Sequence, residues 1–192
     1  MLRRWAVILA VALLASLTLT AQELRVLVAY HSESGHTEKM ANALARGARS
    51  LEGATALVRR VGDVSKEDLA NCDAIALGSP VHMGDAAWQV RQALVRWAME
   101  FGLWESRALT DKAAAVFATG AAPSNGKELT MMSLAAGLTQ MGMVLVTPYG
   151  SLGASATTSK PDPGVDAAEE KIAEALGRRL AEVALRLKRG KR

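Results

Sequence analysis

Past its first two dozen residues the chain alternates short apolar runs with longer stretches in which apolar residues recur every three or four positions. Leu24 to Tyr30 (LRVLVAY) is apolar enough for a strand buried on both faces of a sheet. Gly35 to Leu51 carries Met40, Ala41, Leu44, Ala45 and Ala48 at helical spacing. Further strands are expected at Ala54 to Val61, Asp73 to Gly78, Lys112 to Thr119 and Met143 to Thr147. Helices are expected over Asp85 to Phe101, with Asp85 as N-cap, and over Lys127 to Met141. Val165 to Lys188 closes the chain as a helix with one apolar stripe, its acids early and its bases late, which suits the helix dipole. Strand–helix alternation implies a parallel sheet, and right-handed crossovers favour the order 2-1-3-4-5. The expected class is therefore α/β, a doubly wound five-stranded parallel sheet, with Tyr149 to Gly164 as its one long loop.

The first 21 residues stand outside this alternation. Arg3 and Arg4 precede an apolar run from Trp5 to Leu19, and Ala21 can occupy the last position before a cleavage site. The segment reads as a signal peptide or as an uncleaved anchor at the short end of what spans a bilayer. In both cases the arginines stay in the cytoplasm and the rest is placed outside it. The chain thus divides into an export segment or anchor at 1–21, a domain at 24–188 and a basic tail at 189–192. The expected location is extracytoplasmic, exported to the periplasm or anchored on that side of the membrane. The arginine pair is compatible with the route that carries folded cargo, although its full motif is absent.

Composition narrows the function. Half of the 192 residues are hydrophobic, so a buried core is expected. The net charge of +4 gathers at the two ends, and no basic run in the body is interleaved with aromatics, so nucleic acid is not an expected partner. The single cysteine, Cys72, excludes an intramolecular disulfide and a cysteine metal cluster, and reads as a small residue at the lip of a strand.

In such a sheet the ligand lies beyond the C-terminal ends of the strands. The loop after the first strand is His31-Ser32-Glu33-Ser34-Gly35-His36-Thr37. It opens a helix, whose free N–H groups and positive dipole end can hold a phosphate, and Ser32, Ser34 and Thr37 add hydroxyls. It has neither the lysine of a triphosphate loop nor a GxGxxG turn. A neutral cradle suits a single terminal monophosphate such as that of FMN. Ordinary N-capping accounts for the same hydroxyls. After the third strand, Gly78 and Pro80 shape a tight loop in which Val81, His82 and Met83 can lie against a flat ring. After the fourth, Thr119, Gly120, Ala121 and Ala122 let backbone groups approach a ring edge. His31, His36 and His82 lack an accompanying carboxylate cluster, so no metal is expected, and neither Ser32 nor Ser34 sits in a G-x-S-x-G elbow.

Taken together, Ser32-x-x-Gly35-His36-x-Glu38-x-Met40-Ala41, Gly78-x-Pro80, Gly102-Leu103-Trp104 and Gly142-Met143-Val144 resemble the type IV NAD(P)H:quinone oxidoreductases. These are the tryptophan-repressor-binding-protein-like FMN flavoproteins of flavodoxin-like fold, and the resemblance runs from about Leu24 to Leu187. It implies FMN as cofactor, with Ser32, Glu33, Ser34, Gly35, His36 and Thr37 at its phosphate. It places Val81, His82 and Met83 beside the isoalloxazine, Thr119 to Ala122 along the flavin, and Trp104 near the quinone. It also implies a homo-oligomer. Two departures stand out: Ser34 replaces an aromatic residue used against the nicotinamide donor, and Met141 replaces a flavin-contacting histidine. Trp88 and Trp97 read as core or subunit contacts.

The expected function is FMN-dependent oxidoreduction, two electrons passing from NAD(P)H or another donor to a quinone, with the flavin and no side chain as the reacting group. The alternative is an exported electron-transfer flavodoxin that serves a redox partner protein; the basic charge argues mildly against that role. Export conflicts with a cytoplasmic donor. An uncleaved leader would also hold the back of the sheet to the bilayer and leave the flavin roughly 20 Å away, at about 3.3 Å per strand residue, so cleavage near Ala21 is expected.

Overall fold

A computed structural model describes residues 23–159 and 164–190. The expected export segment therefore lies outside the described residues, as do the last two residues of the expected tail. Among the described residues no helix is long and apolar enough to cross a membrane.

The apolar runs form one sheet of seven strands. Strand β1 (Leu24–Tyr30) lies between β2 (Ala54–Arg60) and β3 (Ala74–His82), and β5 (Ala113–Gly120) follows β3, all parallel. Two short additions complete it. β4 (Asp85–Ala86) folds back antiparallel on the end of β3. The place beside β5 is shared by β6 (Val144–Leu145), opposite Ala113 and Ala114, and β7 (Ala154–Thr157), opposite Phe117 to Gly120. With β4 set aside and β6 and β7 taken as one broken strand, the order is the expected 2-1-3-4-5.

The broken edge strand corrects the sequence reading, which ran one strand to Thr147 and left Tyr149 to Gly164 as loop. The strand stops at Leu145, and Pro148, with no N–H to give a ladder, cannot resume it. It returns at Gly153, where a Cβ would overlap the Val116 carbonyl. The re-entering ASAT segment has no bulky apolar residue to betray it.

Alternate residues of β1 face opposite ways and seed two cores. Leu24, Val26, Val28 and Tyr30 pack under α1 (His36–Arg49) and α6 (Ala167–Gly190). Leu27 and Ala29 pack under α2 (Lys66–Asn71), α3 (Trp88–Val95), α4 (Leu103–Ser106) and α5 (Lys127–Gln140). Helix α2 was not expected. It begins in a reciprocal cap, with Asp68 N donating to Ser65 Oγ and Ser65 N to Asp68 Oδ2, both at 3.0 Å. Cys72 ends it, buried, its thiol pushed up to about 12 by burial above all.

Asp85 is not the cap of the following helix. It belongs to the β4 hairpin and accepts from Ala86 N at 2.6 Å, and α3 starts at Trp88. Trp97, on the π turn that continues α3, is fully buried, whereas Trp88 is exposed. Helix α6 continues to Gly190, two residues into the stretch read as a tail.

Candidate functional site

The loops after β1, β3 and β5 leave the same end of the sheet. His31 N donates to Gly78 O at 3.2 Å, which ties the first loop to the middle of β3. Gly126, just before α5, packs so closely on the β3–β4 turn that a Cβ would come within 2.7 Å of the Gly84 carbonyl. The segments singled out from sequence are thus brought together by strand order.

The first loop ends at Gly35, the N-cap of α1, in the left-handed region at φ +86°. Such a residue has no side chain with which to cap, and no side chain caps α1, so its first-turn amides are left without a side-chain partner. Ser32 is buried and its Oγ accepts from Gly35 N at 3.1 Å, which fixes the curl of the loop. Ser34 Oγ and His36 Nδ1 share a hydrogen bond of 2.9 Å at the surface. Thr37 is buried, and its Oγ1 lies 2.7 Å from Thr119 Oγ1. This hydroxyl therefore clasps the first and third loops together.

Sequence reading described a loop without basic residues and missed Arg60 at the end of β2. Its guanidinium donates to Ser32 O at 2.7 Å, pairs with Glu38 at 2.9 Å and lies over the Tyr30 ring. Burial chiefly, and then the Glu38 charge, push the Tyr30 hydroxyl above its ordinary range. The pairing with Glu38 offsets the arginine's charge, so the cradle gains a brace more than a cation.

Val81 and His82 pair with Ala86 and Asp85 across the hairpin, and Met83 stands fully exposed at its tip. The Glu33 carboxylate sits between two imidazoles, 3.6 Å from His31 Nε2 and 3.5 Å from His82 Nε2. Among the described residues, however, no group of three or more His, Cys, Asp and Glu is placed to hold a metal ion. In the third loop Thr119 and Gly120 end β5, and Asn125 pins Ala121 and Ala122: its amide, turned to satisfy both, accepts from Ala121 N at 3.0 Å and donates to Ala122 O at 3.1 Å. Lys127 lies beneath, also bonded to Ala122 O. Sequence reading passed over it, although a lysine opening a helix opposes the dipole and so needs another reason to be there.

Trp104 is not brought to these loops. It lies on α4 in a hollow with Arg107, Thr110, Gln140, Met141 and Gly142. Asp111 N donates to Gly142 O, and Ala113 pairs with Val144, so this is the start of β5. Seven strand residues, Ala113 to Thr119, separate it from Gly120, roughly 23 Å at about 3.3 Å each. Met141 shares that remote end, so the exchange of a histidine for it does not alter this chain's own loops.

A helix start with a left-handed glycine and no side-chain cap fits a phosphate. Comparison with known proteins points the same way. A profile of the flavodoxin family matches residues 28–163. The chain is 34% identical over 155 residues to a protein of Geotalea uraniireducens named NAD(P)H dehydrogenase (quinone), covering 68% of this chain and 75% of that one. It is 33% identical over 162 residues to a flavodoxin of Aquifex aeolicus, covering 82% and 85%. The crystal structure of a WrbA-like flavodoxin from Agrobacterium tumefaciens superposes with a TM-score of 0.71 at 28% identity, over 85% of this chain and 98% of that one.

Proposed function

The chain belongs to the flavodoxin family, in its tryptophan-repressor-binding-protein-like branch of FMN oxidoreductases, and from that premise we propose that it reduces quinones by two electrons taken from NAD(P)H or another donor. The observation that carries the cofactor is the uncapped start of α1 behind Gly35, clasped by Thr37 to the loop after β5. When bound, FMN supplies the hydride and electron chemistry that these side chains lack. The chain's own part is placement. The first-turn amides of α1 and the Ser34 hydroxyl hold the phosphate, with Ser32, Gly35 and Arg60 keeping the loop in shape. Val81, His82 and Met83 and the Thr119 to Ala122 loop, which Asn125 holds in place, would flank the ring. Purified protein should be yellow and release FMN rather than FAD on denaturation. A colourless protein that also takes up no added FMN would overturn this reading.

Quinone as acceptor rests on the names of relatives such as the Geotalea protein. Chemical reduction of the bound flavin, followed by a soluble benzoquinone, tests that half-reaction without the donor. A reduced protein that ignores quinones and passes electrons to a redox protein would favour the carrier role, which the Aquifex relative's name supports. The Arg3–Arg4 leader further supports export, with cleavage near Ala21. Sequencing the mature N-terminus tests it.

A second copy completes the site in our reading. Trp104 cannot line the flavin of its own chain, so its role there needs another protomer. An apolar surface is available for that contact. Trp88, Val95 and Met99 line one exposed face of α3 and its continuation, and Leu129 and Met132 lie exposed on α5. The two helices are joined across this face by Arg91, which donates to Ser133 Oγ at 2.8 Å.

A further inference from the structure

Lys127 opens α5 and is only 4% exposed. Its ammonium donates to Ala122 O at 3.2 Å and to Thr157 Oγ1 at 2.6 Å, both neutral oxygens. Glu169, the carboxylate behind Thr157, is turned to backbone amides, accepting from Thr157 N at 2.9 Å and from Asp166 N at 3.0 Å. Burying an ammonium is costly unless its surroundings repay it. At the first residue of a helix the dipole adds to the cost. Two hydrogen bonds to neutral oxygens and the carboxylate behind Thr157 offset part of that cost, and an apolar chain of the same length would avoid it altogether.

The position suggests what the charge serves. Thr157 pairs with Gly120 across β5 and β7, and Ala122 follows two residues later, so the ammonium lies directly behind the Thr119–Ala122 loop. By holding the Ala122 carbonyl it draws that acceptor inward. That acceptor is thereby engaged from behind, and a positive charge stands behind the loop. Two-electron reduction of FMN with uptake of one proton adds one negative charge to the ring. In a site of low dielectric that charge is stabilised by a fixed buried cation more than the oxidised ring is.

Resting on the FMN reading above, we propose that Lys127 is a positioning residue that makes the site bind reduced FMN in preference to oxidised FMN, through the Ala122 carbonyl and its own buried charge. The test is a spectroelectrochemical titration of bound FMN, together with the dissociation constant for oxidised FMN, in wild type, Lys127→Gln, Lys127→Met and Lys127→Arg. Methionine is the variant safest for folding, because its unbranched apolar chain leaves no buried donor. Gln and Met should each lower the ratio of reduced to oxidised affinity about tenfold, a fall of about 30 mV for a two-electron couple. Arg should restore most of it. A role in folding alone would weaken both redox states equally and leave the potential unmoved; that result, or an Arg variant that behaves like Gln, overturns the proposal. Wild-type protein that takes up no FMN would instead overturn the cofactor reading on which it stands.

Discussion

At the residue scale, chemistry depends on which hydroxyls face the ligand and which serve the loop. Ser32 looks like a phosphate donor in sequence, yet its Oγ accepts from Gly35 N inside the protein. Ser32→Ala removes the bond that sets the curl of the loop, and so misaims the amides of α1. The loss should fall on FMN more than on riboflavin, which has no phosphate to be misplaced, by about 1–3 kcal/mol. Paired titrations with the two flavins measure it, and equal weakening would show that Ser32 acts on the ring or on folding. The hydroxyls, the glycine and the helix start were legible because each is local. Arg60 and Lys127 were not, because their partners Ser32 and Thr157 lie 28 and 30 positions away and neither sits in a recognisable motif.

At the element scale the tightest packing is between α1 and α6. A Cβ on Gly47 would overlap the Glu174 carbonyl, and one on Gly177 the Leu44 carbonyl. The glycines let two helix backbones touch, and Arg46 then reaches Glu170 at 2.6 Å and Glu174 at 2.8 Å across the crossing. Two effects oppose each other in Gly177→Ala. Helix propensity favours alanine by about 0.5–1 kcal/mol, whereas overpacking costs about 1–3 kcal/mol. The obstacle is backbone and cannot step aside, so packing should win and the variant should unfold at lower denaturant with an unchanged slope. Equal or greater stability would mean that the helices separate easily. The apolar stripes of both helices were readable from the 3.6-residue period; their close approach was not, since a glycine inside a helix reads only as a weak former.

At the scale of the whole molecule, the site and Trp104 stand at opposite ends of the sheet, and an apolar face lies between them on α3 and α5. Trp88→Glu, which puts a charge on that face, should shift the sedimentation coefficient toward a single chain and leave FMN uptake intact, because Trp88 takes no part in the three loops. A wild type that sediments as a monomer at micromolar concentration would remove the basis for a site shared between chains.

The sequence by itself determined the alternation, the parallel sheet, its strand order and the three loops at one end. These follow from periodicity, chain direction and crossover handedness, all of which are properties of contiguous residues. The tertiary structure decided the rest: that the edge strand is broken between Leu145 and Ala154, that Asp85 belongs to a hairpin, that Thr37 clasps Thr119, and that Trp104 lies far from its own chain's loops. The reason is physical. A pattern along the chain reports which face of an element is buried, whereas side-chain partners are chosen by distances between elements, and those exist only once the sheet has closed on its helices.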